Sequence, residues 1–170
     1  MVRLISGSVS IDWARRWPDF KPWEIFSPET GGYDMYSFRN PNWQDYPAAS
    51  LLNVEFLDQL QAFRDELGIP LAANRVAGWH MRRVLRSCTE QRLIMNKYPE
   101  SGAAEFSLHT ACRAADLTPG ENDKGIDLEA LREAARKFGF GGIGFYKSAH
   151  FVHVDNRIKI VGGPVEWKVG

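Results

Sequence analysis

An α+β domain, with helices packed on a small antiparallel β-sheet, is what this chain predicts, on three observations. Apolar residues recur at three- and four-residue intervals over 51–67 and again over 127–138. Runs of period two are gathered late, over 142–161. The 170 residues are 44% hydrophobic and 25% charged, enough for one substantial core and short of two full domains. The expectation is a single domain over 1–170, with an aromatic-rich N-terminal arm over 1–50 and a core over 51–170.

Taken in order, residues 1–50 scatter Trp13, Trp17, Phe20, Trp23, Phe26 and further aromatics among prolines and glycines without a sustained period. Short helical turns and loops are expected there, wrapping aromatics around the core, with 21–26 as the best short helix. Leu52, Phe56, Leu57, Leu60, Phe63 and Leu67 then form the stripe of a helix packed on a core, and Gly68 stops it. Ile69-Pro-Leu-Ala-Ala73 reads as a short strand. A second helical stretch over 79–98 carries Arg82, Arg83, Arg86 and Arg92, either as a solvated face or as an anchor for an anionic substrate group. The third helix runs from Asp127, placed to cap it, to Phe138, with Leu128, Leu131, Ala135 and Phe138 on one face and Gly139 at its end. Gly142–Tyr146, Phe151–Asp155 and 158–161 follow as an antiparallel meander, with a tight turn at Asn156-Arg157.

Charge excludes some classes of function. Lys plus Arg number 21 and Asp plus Glu number 21, so no global positive field invites nucleic acid. No stretch approaches the roughly 20 apolar residues that span a bilayer, which argues against membrane insertion. The first ten residues lack the apolar run of a secretory signal, so the chain is expected to be cytoplasmic as synthesised. Cys88 and Cys112 are the two cysteines, too few for a disulfide framework and best read as small buried hydrophobes.

The chemistry lies in Ser107-Leu-His-Thr-Ala-Cys-Arg-Ala-Ala-Asp116 and in His150-Phe-Val-His-Val-Asp155. His109, Asp116 and His153 can supply three protein ligands to Zn²⁺ and leave a fourth position for water, the arrangement of a catalytic zinc site. In the strand 151–155 side chains alternate, so Phe151, His153 and Asp155 share a face and His153 sits in a rigid element. His109 and Asp116 come together if His109 lies in a turn and 113–116 runs back beneath it as a strand, the alanines at 111, 114 and 115 allowing close approach. The opposing reading of each residue alone is a hydrogen-bonded or surface group.

Ser-x-His-x-x-x-x-Ala-x-Asp, followed by Gly-Ile-Gly-Phe-Tyr and Phe-Val-His-Val-Asp, resembles the zinc-dependent D-alanyl-D-alanine carboxypeptidase family. That family also includes phage endolysins that cut the peptide stems of peptidoglycan, and it shares its fold with the hedgehog signalling domain. The resemblance is specific over 107–155 and weaker upstream, where the helix to Gly68 and the strand after it fit the family's lead-in.

By position, the resemblance makes His109, Asp116 and His153 the zinc ligands and peptidoglycan peptide the substrate. It implies carboxypeptidase or endopeptidase activity and, with no signal sequence, a phage-encoded lysis protein that acts on the wall after release. Many members place a Glu or Asp general base three residues before the last histidine, where this chain has His150. His150 is then the candidate catalytic residue, as base or as oxyanion stabiliser, with a surface residue as the alternative. Asp155 either orients a ligand by hydrogen bond or only begins the turn. Cys112 stands where the family has glycine, close enough to compete as a zinc ligand. The arginine that in the family holds a substrate carboxylate has three candidates here, Arg75, Arg82 and Arg86. The competing function is a non-catalytic, zinc-containing wall-binding or structural module. A 2-His-1-carboxylate oxygenase centred on His153 and Asp155 fails because no histidine follows His153.

Overall fold

The computed structural model describes residues 3–6, 9–20, 53–68, 71–73, 88–99, 107–119, 126–157 and 164–169. Helices gather on one face of a central sheet, as an α+β chain should have them. A two-stranded antiparallel ribbon, β1 (Arg3–Ser6) and β2 (Val9–Asp12), leads into the single turn α1 (Trp13–Arg16). Strand pairing there departs from the turns and loops expected of the arm, because four-residue strands are too short to show a period. The proposed helix over 21–26 lies outside the described residues.

Helix α2 (Val54–Leu67) forms where the apolar stripe placed it. The Asn53 side chain accepts from the Phe56 N–H at 2.9 Å, and Gly68 closes the other end at φ 62°. Phe56, Leu57, Leu60 and Phe63 are buried. The segment after α1 docks on its other side: Trp17 and Phe20 are buried, and the Trp17 Nε1–H donates to Asp58 at 3.0 Å while Arg16 grips both oxygens of the same carboxylate. These two aromatics do wrap the core.

Strand β3 (Leu71–Ala73) and helix α3 (Cys88–Lys97) follow. Arg92, on α3, is exposed, whereas Arg75, Arg82, Arg83 and Arg86 lie outside the described residues. A short 3₁₀ turn (Leu108–Ala111) precedes β4 (Ala114–Pro119). Helix α4 (Leu128–Phe138) is capped by Asp127, which accepts from the Ala130 N–H at 2.7 Å, and is closed by Gly139 at φ 94°. β5 (Gly142–Tyr146), β6 (Phe151–Asp155) and β7 (Val165–Val169) complete the elements.

Five strands pair in the order β3-β4-β6-β5-β7. All pairs are antiparallel except β5 with β7. β5 and β6 pair antiparallel, as the meander expects, and the strand read over 158–161 falls outside the described residues; β7, an element the sequence reading did not place, lies parallel to β5. Alternation sends Ala115, Leu117, Ile143, Phe145, Val152 and Val154 to one face, where they meet α4 and, beyond it, α2. Phe63, Phe138 and Phe140 close that core, with ring centroids 5.0–5.3 Å apart. The opposite face carries the polar residues.

Candidate metal centre

His109 is placed by the 3₁₀ turn. Ser107 begins it, its hydroxyl accepting from the His109 N–H at 3.4 Å, while the Thr110 hydroxyl donates to the Ser107 carbonyl at 2.7 Å. Cys112 ends it at φ 53°, a left-handed conformation that favours glycine. This accounts for the glycine that the family pattern has there. The Cys112 side chain is fully buried, and that burial pushes its thiol up to about 12 against a hydrogen bond from the Asn53 backbone. Among the described residues Cys112 is not one of the groups that converge, and its place in the core is that of the small buried hydrophobe the sequence suggested.

After the reversal, β4 runs back beneath the turn and carries Asp116 directly opposite His153 of β6. Three ligand atoms converge: His109 Nε2 lies 3.2 Å from Asp116 Oδ1 and 3.2 Å from His153 Nδ1, and His153 Nδ1 lies 2.9 Å from the same carboxylate oxygen. His109 is 2% exposed and Asp116 6%. Donors held at about 2.0–2.1 Å from a tetrahedral zinc stand about 3.3 Å apart. Two nitrogens and one carboxylate oxygen at nearly that spacing are a donor set that fits the ion.

The electrostatics agree. Burial pushes the Asp116 carboxyl up, but the charges and hydrogen bonds of His109 and His153 outweigh it and hold the group well below the usual carboxylate range. Burial likewise disfavours a charged His153, yet Asp116 and Asp155 raise its pKa above the ordinary histidine value. The pocket attracts positive charge, which a proton supplies when no metal does.

Asp155, with no exposure, stands beside this trio, its Oδ2 3.2 Å from His153 Nε2. Burial raises its carboxyl, but His153 and Arg157 hold it well below the usual range. It does not merely begin a turn. His150 is elsewhere: it closes the exposed turn before β6 at φ 57°, its N–H on the Lys147 carbonyl at 3.2 Å. The candidate base therefore does not belong to the converging cluster.

Residues 35–155 match the peptidase M15 family. The chain belongs to that family. The resemblance read over 107–155 is thereby borne out, and the M15 match runs through His109, Asp116, His150 and His153. Among curated relatives is the peptidoglycan L,D-endopeptidase MepK of Escherichia coli K12, 29% identical over 118 residues, which are 68% of this chain and 58% of that protein. Proteins of the same name from Escherichia coli O157:H7 and Shigella flexneri match equally. This M15 chain thus spans 58% of the length of these relatives.

Sequence reading missed two residues at the centre, Arg157 and Trp167. Arg157 Nε reaches Asp155 at 2.8 Å, and the Trp167 ring lies 5.3 Å from that of His153. A signal was available in Gly142-Ile-Gly144: glycine at alternate strand positions marks close approach of other groups to one face.

Proposed function

We propose that this M15 protein is a zinc-dependent peptidase that cleaves peptide bonds within peptidoglycan stems, with His109, Asp116 and His153 as its ligands. The observation that carries this reading is the convergence of His109 Nε2, Asp116 Oδ1 and His153 Nδ1 within 3.2 Å of one another. Relatives named as peptidoglycan L,D-endopeptidases favour cleavage inside the stem over removal of its last residue.

A zinc ion held by three protein groups supplies a Lewis acid and an acidified water. The chain's own groups prepare that chemistry. Asp155 accepts at His153 Nε2, so a neutral His153 carries its proton there and turns the Nδ1 lone pair toward the cluster. Asp116 brings the one negative charge of the donor set, kept ionised by both histidines. His150, three residues before His153 and outside the ligand cluster at the exposed head of β6, is the proposed proton acceptor, a role that requires it to turn toward the metal when substrate binds.

Mass spectrometry of purified peptidoglycan incubated with the protein, with zinc or with a chelator, tests the reading. New stem-peptide ends in the zinc sample alone are expected, and their mass names the bond. No new ends from protein carrying one zinc per chain would favour a non-catalytic, wall-binding module.

A further inference from the structure

Arg157 takes no part in the chemistry just described, yet it is tied to it on three sides. Its Nε lies 2.8 Å from Asp155 Oδ1, its terminal nitrogen 2.6 Å from Oδ2, and its backbone N–H donates to Oδ1 at 3.0 Å. The same Oδ2 stands 3.2 Å from His153 Nε2. Above, the guanidinium carbon sits 5.0 Å from the centre of the Trp167 ring, which in turn leans on the His153 ring at 5.3 Å. Trp167 is itself anchored, its Nε1–H donating to the Tyr146 hydroxyl at 3.1 Å.

The strand beneath is cut away for this group. A Cβ at Gly142 would lie 2.4 Å from Asp155 Oδ2 and 2.5 Å from Arg157 Nε, and one at Gly144 would lie 2.6 Å from the Trp167 indole. Neither glycine has a left-handed φ, so backbone conformation does not explain them. Space for the Asp155–Arg157–Trp167 group does.

We propose that Arg157, backed by Trp167, is a positioning residue of the metal centre: it locks Asp155, and through Asp155 the ring and tautomer of His153, so that Nδ1 is presented to the metal. This rests on the zinc reading of the cluster. A carboxylate without exposure keeps a fixed orientation only if its oxygens are met, and a planar guanidinium meets both in a set direction. Without the guanidinium, Oδ1 keeps only the backbone N–H of residue 157 and Oδ2 only His153, so the carboxylate plane is held less firmly. His153 then loses the acceptor that keeps the proton on Nε2, and rotation about χ2 exchanges Nδ1 for another ring edge. The competing view is that Arg157 merely closes the end of β6, in which case its loss lowers stability and leaves metal affinity alone.

The test is zinc affinity, by competition with a chromophoric chelator, for the full chain and its Arg157→Gln, Arg157→Lys, Asp155→Asn and double Asp155→Asn/Arg157→Gln variants, with circular dichroism to confirm folding. Arg157→Gln is expected to bind zinc about 10–100-fold more weakly, the range for groups that orient ligands, and Arg157→Lys to fall between it and wild type. In the Asp155→Asn background the Arg157→Gln change should add less than about twofold, because the route is already broken. Imidazole ¹⁵N shifts of the metal-free protein, recorded at a pH where His153 is neutral, should show one tautomer in the wild type and a mixture in Arg157→Gln. A folded Arg157→Gln protein with wild-type zinc affinity overturns the assignment; if that variant does not fold, wild-type affinity in Arg157→Lys overturns it. A wild-type chain that binds no zinc overturns the metal reading itself and this assignment with it.

Discussion

His109, Asp116 and His153 arrive from a turn and two neighbouring strands, so each contributes its ligand atom from a different element. His153→Ala is expected to reduce zinc from one per chain to none and to abolish peptidoglycan cleavage, measured by metal analysis and product masses. His150→Ala separates ligand from base: zinc should stay while turnover falls about 10²–10⁴-fold, the usual worth of a general base. Unchanged turnover would make His150 a surface residue. Cys112 poses a different question at the same scale. At φ 53° in the core, its side chain is tolerated because it is small and fills space. Cys112→Gly relieves the left-handed strain and loses a buried group of similar worth, so stability should move by less than about 1 kcal/mol. Cys112→Val, β-branched where φ is positive, should cost about 2 kcal/mol or more in urea denaturation.

At the scale of elements, the caps are what hold the two long helices in register with the sheet. Asn53 caps α2 through its side chain and meets the Cys112 thiol through its backbone, joining the helix to the turn that carries His109. Asn53→Ala should cost about 1 kcal/mol, read from the urea midpoint, with the backbone contact to Cys112 retained. The β4–β6 pair is clasped at its end by Arg113, whose Nε donates to Asn156 Oδ1 at 2.8 Å. On β5 the glycines carry the constraint. Gly144→Ala puts a carbon within 2.6 Å of the Trp167 indole, so either β7 or the ring must shift. A loss of about 1–3 kcal/mol is expected, with a change in tryptophan fluorescence that Gly144→Ala shows and Asn53→Ala does not.

For the whole molecule, acid, base and metal compete for one pocket. The raised pKa of His153 means that, without metal, its protonation contributes stability that is complete below about 6.5 and is lost as pH rises through the folded value. The lowered pKa of Asp116 contributes stability above about 3.9 that is lost as pH falls through its folded value. The metal-free chain should therefore lose Tm from pH 6.5 upward. Zinc acts with the opposite sign, since it must displace the His153 proton, so the Tm gained on adding zinc should grow from pH 5.5 to 8. Scanning calorimetry of chelator-treated and zinc-loaded protein checks both slopes; parallel curves would argue that no metal enters this pocket.

Much of this was written in the order of residues. The apolar stripe of α2, its stop at Gly68, the Asp127 cap and the end of α4 at Gly139 are local events, decided within a few residues by burial and capping, and they stand where the pattern put them. His109, Asp116 and His153 were also recoverable, because a 3₁₀ turn followed by a strand, and a five-residue alternating strand, carry their geometry in short segments. The parallel seat of β7 was not, since nothing within 165–169 says which partner or direction it takes; that is set by the edge of β5 left free in the sheet. For the same reason only the tertiary structure brought Arg157 and Trp167 to Asp155 and His153 across three strands, over glycines that mark a close approach in the sequence without saying which neighbours make it.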